Sequence, residues 1–353
     1  MVLQEIKGEN LNFTIRSTYM KILCCSLLLI LIPFSLLSQN GQPIIDMHLH
    51  AHRIADFSGL VSPPPIPHCI PMTDYPIPEP GVTWWEIFQN PEPPCNAIWS
   101  PINEEDLMSH TFELLEKHHI VAAVTSGPAI AKWREKDPVR MIPALGYSPV
   151  SGAPSIDSLR AWYMRGDFAV LGEITPQYDG FRADGPEMEP VWELAEELDF
   201  PVNIHIGTGP VGAPYLAWPN YRAALHSPLQ MEEVLLRHPN LRVYIGHAGW
   251  PMLDDMLAVL WTHPQVYVDI SVINWALPRK EFHRYLQRIV ESGFGKRILF
   301  GSDQMVWPDA IEIAIESIES ADFLSEEQKR DIFYNNAARF LRLSEEEIAR
   351  HHN

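Results

Sequence analysis

Asp46, His48 and His50 occupy alternate positions of the stretch IIDMHLH, residues 44–50. Side chains at i and i+2 of a strand leave from the same face, so one side of such a strand would offer an acid and two imidazoles while isoleucines anchor it. Four more side chains of the same kind close apolar runs further on: Glu173 in VLGEI, His205 in PVNIHIG, His247 in VYIGHAGWP and Asp303 in ILFGSDQ. Gathered at one place, neutral imidazoles and carboxylates would bind a divalent metal. Catalytic zinc takes about three nitrogen or oxygen ligands and keeps one position open for water, whose pKa then falls towards neutrality. The His-x-His pair would give two ligands, and a third imidazole with a carboxylate from elsewhere would complete the set. Asp46 would act as the acceptor that orients one ligand histidine.

Those residues must be brought together by the elements that carry them. Apolar runs at 44–50, 120–124, 141–145, 168–174, 201–206, 241–246, 266–270 and 298–300 read as eight strands. Helical periodicity fills the gaps: Met108, Phe112 and Leu115; Met188, Val191, Trp192 and Ala195; Leu253, Met256, Leu257 and Leu260; Phe282, Tyr285, Leu286 and Ile289. The stretch Ser227-Pro228-Leu229-Gln230 has the form of a capping box with proline at the first helical position. Strands alternating with helices imply parallel pairing, and eight units predict an α/β fold of the (β/α)8 TIM barrel type. A doubly wound open sheet is the competing topology, but no glycine-rich phosphate loop follows any strand. In the barrel the active site lies at the C-terminal strand ends, where all six metal-capable residues fall. The expected organisation is an N-terminal extension with a signal peptide at 1–38 and one barrel domain at 39–353. A proline-rich insertion spans 57–102, with twelve prolines, Trp84, Trp85, Trp99, Cys69 and Cys95. It is too rich in proline for a helix or central strand and reads as a packed loop walling the site.

The chain has 353 residues, 46% hydrophobic and 20% charged, with a formal net charge of −19. That balance argues against nucleic acid or an anionic membrane as partner; a small molecule is the expected partner, and a homo-oligomer is compatible with the sequence. Lys21 precedes an apolar run from Ile22 to Leu37, then Ser38, Gln39 and Asn40. This is the pattern of a cleaved export signal, too short for a spanning helix. It leads to the expectation of a periplasmic or extracellular protein with no lasting membrane anchor, whose start is Met1 or Met20. Cleavage after Ser38 would leave Cys69 and Cys95, for which a disulfide and two free thiols are equally compatible with the sequence.

Taken together, DMHLH at 46–50, NIHIG around His205, IGHAG around His247, FGSD ending at Asp303 and NNAARFL at 335–341 resemble the amidohydrolase superfamily. The group resembled is the amidohydrolase-related one that includes aminocarboxymuconate-semialdehyde decarboxylase. The resemblance implies that His48, His50, His205 and Asp303 bind a metal, most often zinc. It further implies that His247 activates water or polarises substrate and that Asp303 doubles as proton shuttle. Glu173 stands where two-metal members bridge their ions with a carboxylated lysine or a glutamate, so it is a fifth candidate ligand and the count is one ion or two. Zinc is the expected metal, with manganese as the alternative.

The leading expectation is hydrolysis of an amide, ester or lactone by metal-activated water. Decarboxylation of an aromatic or unsaturated acid uses the same ligands and is the alternative; an inactive envelope binding protein is the reading from another class. Blander roles compete at each position. Glu173 could pair with Arg182 or Arg222, and Asp303 could cap a helix. His118, His119, His238 and His263 sit at helix ends, where a cation suits the dipole. Tyr147, Tyr215, Trp218, Arg222, Trp275 and Trp307 fall in loops expected to face the mouth.

Overall fold

Each apolar run becomes a strand, and in the computed structural model the eight long-range strands pair only in parallel. It describes residues 41–58, 63–72, 79–83, 86 and 95–353; the expected signal peptide, Trp84 and Trp85 lie outside them. The strands are β1 (Ile44–His50), β4 (Ile120–Ser126), β5 (Met141–Tyr147), β6 (Val170–Ile174), β7 (Val202–His205), β8 (Val243–Gly246), β9 (Tyr267–Asp269) and β10 (Ile298–Leu299). They form one sheet in the order β1-β4-β5-β6-β7-β8-β9-β10. Met47 N–H donates to the Phe300 carbonyl at 2.8 Å and Asp303 N–H to the His48 carbonyl at 2.6 Å, drawing the last strand against the first in a nearly closed (β/α)8 barrel. Between them β2 (Pro67–Cys69) and β3 (Ala97–Trp99) make a small antiparallel hairpin. Residues 42–353 form one compact unit.

A helix fills every connection. Glu104–Lys117 shows why: Asn103 accepts from the Asp106 N–H, three acids occupy the first turn, and Leu107, Met108, Thr111, Phe112, Leu114 and Leu115 are buried. The expected capping box at 227–230 is not formed. The Ser227 hydroxyl accepts from the Leu229 N–H, but the Gln230 amide instead accepts from the Ala183 N–H and donates to the Ala224 carbonyl. Long-range partners outcompete the local bond.

The first strand departs from strict alternation in a way that matters for the site. Pairing with β4 runs Asp46 with Ala123 and Leu49 with Thr125, a register shift of one residue. Before the shift Ile45 and Met47 pack with Ala122, Val124, Ala144, Val170, Tyr244 and Leu299. After it Leu49 joins Ile44 in the larger cluster and the histidines turn to the mouth. Bulges of this kind re-aim side chains beside active sites.

The described residues of the insertion include a paired hairpin rather than loop alone. Cys69 and Cys95 form a disulfide with Cα atoms 5.6 Å apart, beside the hairpin pair Cys69 with Ala97. Met72 N–H donates to the Ala276 carbonyl at 2.7 Å and Trp307 Nε1 to the Ile66 carbonyl at 2.9 Å, tying it to the rim. Replacing both cysteines by serine should lower stability by about 3 kcal/mol, the chain-entropy value for a loop of this length; denaturant unfolding checks it, and unaltered stability would show that the rim contacts suffice.

Candidate metal centre

Glu173, at the end of β6, joins two groups of imidazoles. Its Oε2 lies 3.6 Å from His48 Nε2 and 4.0 Å from His50 Nε2. Its Oε1 lies 2.6 Å from His205 Nδ1 and 3.2 Å from His247 Nε2. Asp303 completes the first group, with Oδ1 2.9 Å from His50 Nε2 and 4.0 Å from His48 Nε2; its Oδ2 lies 4.0 Å from His247 Nδ1. All six residues expected from the strand ends therefore lie in one region. His48 and His50 come directly to Glu173 and Asp303, and His247 reaches the first group through Glu173, through Asp303 and by stacking on His48 at 5.4 Å, whereas His205 meets it through Glu173. Neither Arg182 nor Arg222 pairs with Glu173: Arg182 holds Asp184, and Arg222 donates to the carbonyls of Pro219 and Tyr221.

The hydrogen bonds fix which ring nitrogens carry lone pairs. A carboxylate can only accept, so His48 Nδ1, 3.1 Å from Asp269 Oδ2, donates there. Likewise His205 Nδ1 donates to Glu173. When either ring is neutral its Nε2 is a bare acceptor, and both Nε2 atoms are buried without a hydrogen-bond partner among the described residues. Buried polar atoms are normally paired; an orphaned imidazole lone pair next to carboxylates, as at His48 Nε2 beside Glu173 and Asp303, is what a metal ion satisfies. Three groups among the described residues have donor atoms close enough to share an ion: His48, His50 and Glu173; Glu173, His205 and His247; His48, His247 and Asp269. The first two share Glu173.

Electrostatics point the same way. Burial opposes charge on Glu173, yet His205 and His48 hold its carboxyl well below the usual range. Asp303 is likewise lowered against burial by His48 and His50. Burial also opposes a charge on His48, but Asp303, Asp269 and Glu173 raise its pKa well above the ordinary value. The acids demand positive charge at this spot, as a proton or as a metal ion.

Asp269 is the residue that strand-end reasoning passed over, although it closes β9 as Asp303 follows β10. With no accessible surface, its Oδ1 accepts from the His247 and Ser271 backbone N–H groups at 3.1 and 3.0 Å and from the Ser271 hydroxyl. Its Oδ2 accepts from His48 and from Asn203 Nδ2. Burial raises its pKa, but the His48 imidazole and these donors hold it near 2. It performs the orienting role expected of Asp46. Asp46 Oδ1 accepts instead from the His48 and Ser302 backbone N–H groups at 2.9 and 3.0 Å, because the register shift carries its side chain away from the rings. Gln304 clamps the next ligand position: Oε1 accepts from the His50 N–H and Nε2 donates to the His50 carbonyl. Gly301 is required for this approach, since a Cβ there would stand 2.8 Å from His48 Cβ.

Three further rings enclose the region. His52 stacks on His50 at 4.4 Å, and burial pushes its pKa down to about 3. His226 and Tyr178 lie edge-on to His205 at 5.3 and 4.9 Å; burial and then Glu173 hold the Tyr178 phenol well above its usual pKa. Of the aromatics expected at the mouth, Trp275 and Trp307 are buried there and Trp218 packs on Tyr178, while Tyr215 is 61% exposed.

Comparison with known proteins follows from this geometry. The family model described as amidohydrolase matches residues 45–343. No curated protein matches the chain. Among solved structures, 2,6-dihydroxybenzoate decarboxylase from Rhizobium is similar at 16% identity and TM-score 0.51, covering 86% of this chain and 99% of its own. A probable 2-pyrone-4,6-dicarboxylic acid hydrolase from Acinetobacter baumannii, with citric acid bound, is similar at 14% and 0.53, covering 85% and 99%. A 5-carboxyvanillate decarboxylase from Novosphingobium aromaticivorans, complexed with manganese, is similar at 16% and 0.51, covering 67% and 81%. At these identities the likeness is one of fold.

Asp269→Asn keeps the side-chain volume and removes the charge that faces His48. It should weaken metal affinity roughly 10- to 100-fold, measured by chelator competition; unchanged affinity would show that Asp269 does not support the ligands.

Proposed function

The chain belongs to the amidohydrolase family, and from that premise we propose that it is a metal-dependent hydrolase of a small-molecule amide, ester or lactone. The observation that carries this reading is the meeting of His48 Nε2, His50 Nε2, Glu173 Oε2 and Asp303 Oδ1, with the His48 lone pair unsatisfied. His48, His50 and Glu173 would hold the ion, with Asp303 beside it and the orphaned His205 Nε2 as the further imidazole ligand. Imidazole and carboxylate donors suit zinc; manganese is the alternative, and the two oxygens of Glu173 make a second ion the outcome to look for. Such an ion supplies Lewis acidity and lowers the pKa of water.

The protein's own groups supply the rest. Asp303, held ionised, is placed to take a proton from the attacking water and to return it to the leaving group. His247 donates from Nδ1 to the Ser271 carbonyl, 3.1 Å away. Although burial lowers its pKa, Glu173 and Asp303 raise it above the ordinary value, which favours a proton on Nε2 as well, 3.2 Å from Glu173 Oε1. That proton can turn to an oxygen that gains charge on the substrate. Decarboxylation of an aromatic or unsaturated acid is the second reading, because the same donors can hold a carboxylate and Asp303, once it has taken a proton from water, can pass that proton to the carbon that loses carbon dioxide. It is supported by the decarboxylases among the structural neighbours. An exported location is part of the proposal: the Cys69–Cys95 disulfide suits an oxidising compartment.

Metal analysis of the purified protein, followed by turnover of aryl esters, lactones and hydroxybenzoates in labelled water, tests this. Label in the product acid without carbon dioxide supports hydrolysis; carbon dioxide without label supports the second reading; full turnover in chelator-treated protein contradicts both. Asp303→Asn should lower turnover roughly 10²- to 10⁴-fold, and a loss of less than twofold would remove Asp303 from the chemistry.

A further inference from the structure

His68 is placed at the mouth by an element unrelated to the eight strands. It sits on β2, between Pro67 and Cys69, and the disulfide to Cys95 fastens the next residue. Its ring meets Trp275 at 4.8 Å and Trp307 at 4.7 Å, edge-on in each case. Both tryptophans are anchored to the rim: Trp275 Nε1 donates to the carbonyl of Ser302, the neighbour of Asp303, and Trp307 Nε1 to the carbonyl of Ile66, two residues before His68. A continuous line of rings leads inward from there. Trp307 meets Phe57, Phe57 meets His52, and His52 stacks on His50. Protein surrounds the His68 ring, yet the residue keeps accessible surface. Asp303 is the ionised group that acts on it.

The chemistry of the ring is fixed by its neighbour. His68 Nδ1 lies 2.9 Å from the Cys69 carbonyl; a carbonyl only accepts, so Nδ1 carries the proton and Nε2 of the neutral ring is an acceptor. Burial pushes the pKa down to about 4, which keeps it neutral under ordinary conditions. The other wall offers the complementary group. Tyr178 stands edge-on to His205 with its hydroxyl against Gly209, where a Cβ would approach to 2.3 Å. The His68 wall brings no cation, since no lysine or arginine occurs between Arg53 and Lys117. Arg53 pairs with Asp56, Arg222 is exposed and donates to the carbonyls of Pro219 and Tyr221, and among the described residues the ionic partners of Glu173 and Asp303 are histidines.

We infer that His68 is a specificity residue: its Nε2 accepts a hydrogen bond from a hydroxyl on a ring-bearing substrate that is uncharged apart from the carboxyl-derived group facing the metal. This rests on the proposed metal site and adds the substrate class. An additional carboxylate would be desolvated between aromatic rings and an acidic cluster without a cation on the His68 wall to meet it, which is costly; a hydroxyl donor would satisfy an imidazole nitrogen that has no hydrogen bond among the described residues.

Calorimetric binding to the metal-loaded full chain tests it, using benzoate, the three monohydroxybenzoates and isophthalate as probes. One hydroxybenzoate isomer should bind roughly fivefold to tenfold tighter than benzoate, the value of one net hydrogen bond, and isophthalate weaker than benzoate. His68→Asn can keep the bond to the Cys69 carbonyl but has no atom at the Nε2 position, and should abolish the hydroxyl preference. His68→Gln, with an amide oxygen near that position, should keep it. No preference in the unmodified protein, a preference that survives His68→Asn, or tighter binding of isophthalate overturns the inference. Loss in both variants would assign His68 to packing between the tryptophans and overturn it as well. Metal content measured on the same samples separates this outcome from failure of the proposed site, which would appear as absent metal.

Discussion

Five hydrogen bonds to one buried carboxylate hold the mouth of the barrel together. Asp269 receives a ring nitrogen from β1, an amide from β7, the backbone that follows β8, and the backbone and hydroxyl that follow β9. Three of the five donors come from segments distant in sequence, so the placement of His48 and of the backbone at His247 depends on that carboxylate being ionised and in place. An ionised acid without accessible surface persists only when its acceptor capacity is filled and positive charge is near, and both conditions hold here. The consequence reaches the proposed chemistry: with Nδ1 of His48 committed to Asp269, Nε2 is left as a lone pair aimed at Glu173 and Asp303.

The balance of charge around that lone pair explains why the centre suits a cation and why its walls do not suit a second anion. Glu173 and Asp303 are both driven towards the ionised form by imidazoles, against burial. Around them stand aromatic rings, a phenol that stays protonated and the His52, His68 and His226 imidazoles, which burial keeps neutral. A site of this composition places its electrostatic strength at one point and leaves recognition elsewhere to shape and to single hydrogen bonds. The disulfide-bridged hairpin fits that division, since it adds a wall and a neutral acceptor without adding a charge.

The barrel was legible in the sequence because parallel strands buried on both faces read as apolar runs, and helices between them as 3.6-residue periodicity. The candidate ligands were legible for a related reason, as each polar residue interrupts or ends such a run. What escaped was set by contacts between distant segments. Asp269 ends its strand just as the recognised residues end theirs, but a lone acid after YV carries no sign that five donors converge on it. Asp46 looked like the orienting acid because strict alternation put it beside His48, and the one-residue register shift removed that relation. His68 lay in a stretch whose prolines suppress any periodic signal, and three-residue strands leave no pattern to find. The Ser227–Gln230 stretch was misjudged locally, because Gln230 finds better partners across the fold.

The central claim is that His48, His50 and Glu173, with Asp303 beside them, enclose a metal ion. Anomalous X-ray scattering from a crystal of the purified protein, recorded across the zinc and manganese absorption edges, tests it most directly. The account predicts a peak at about 2.0–2.2 Å from the Nε2 atoms of His48 and His50. No peak there in protein that has been supplied with metal, or a peak ligated by other residues, would contradict it.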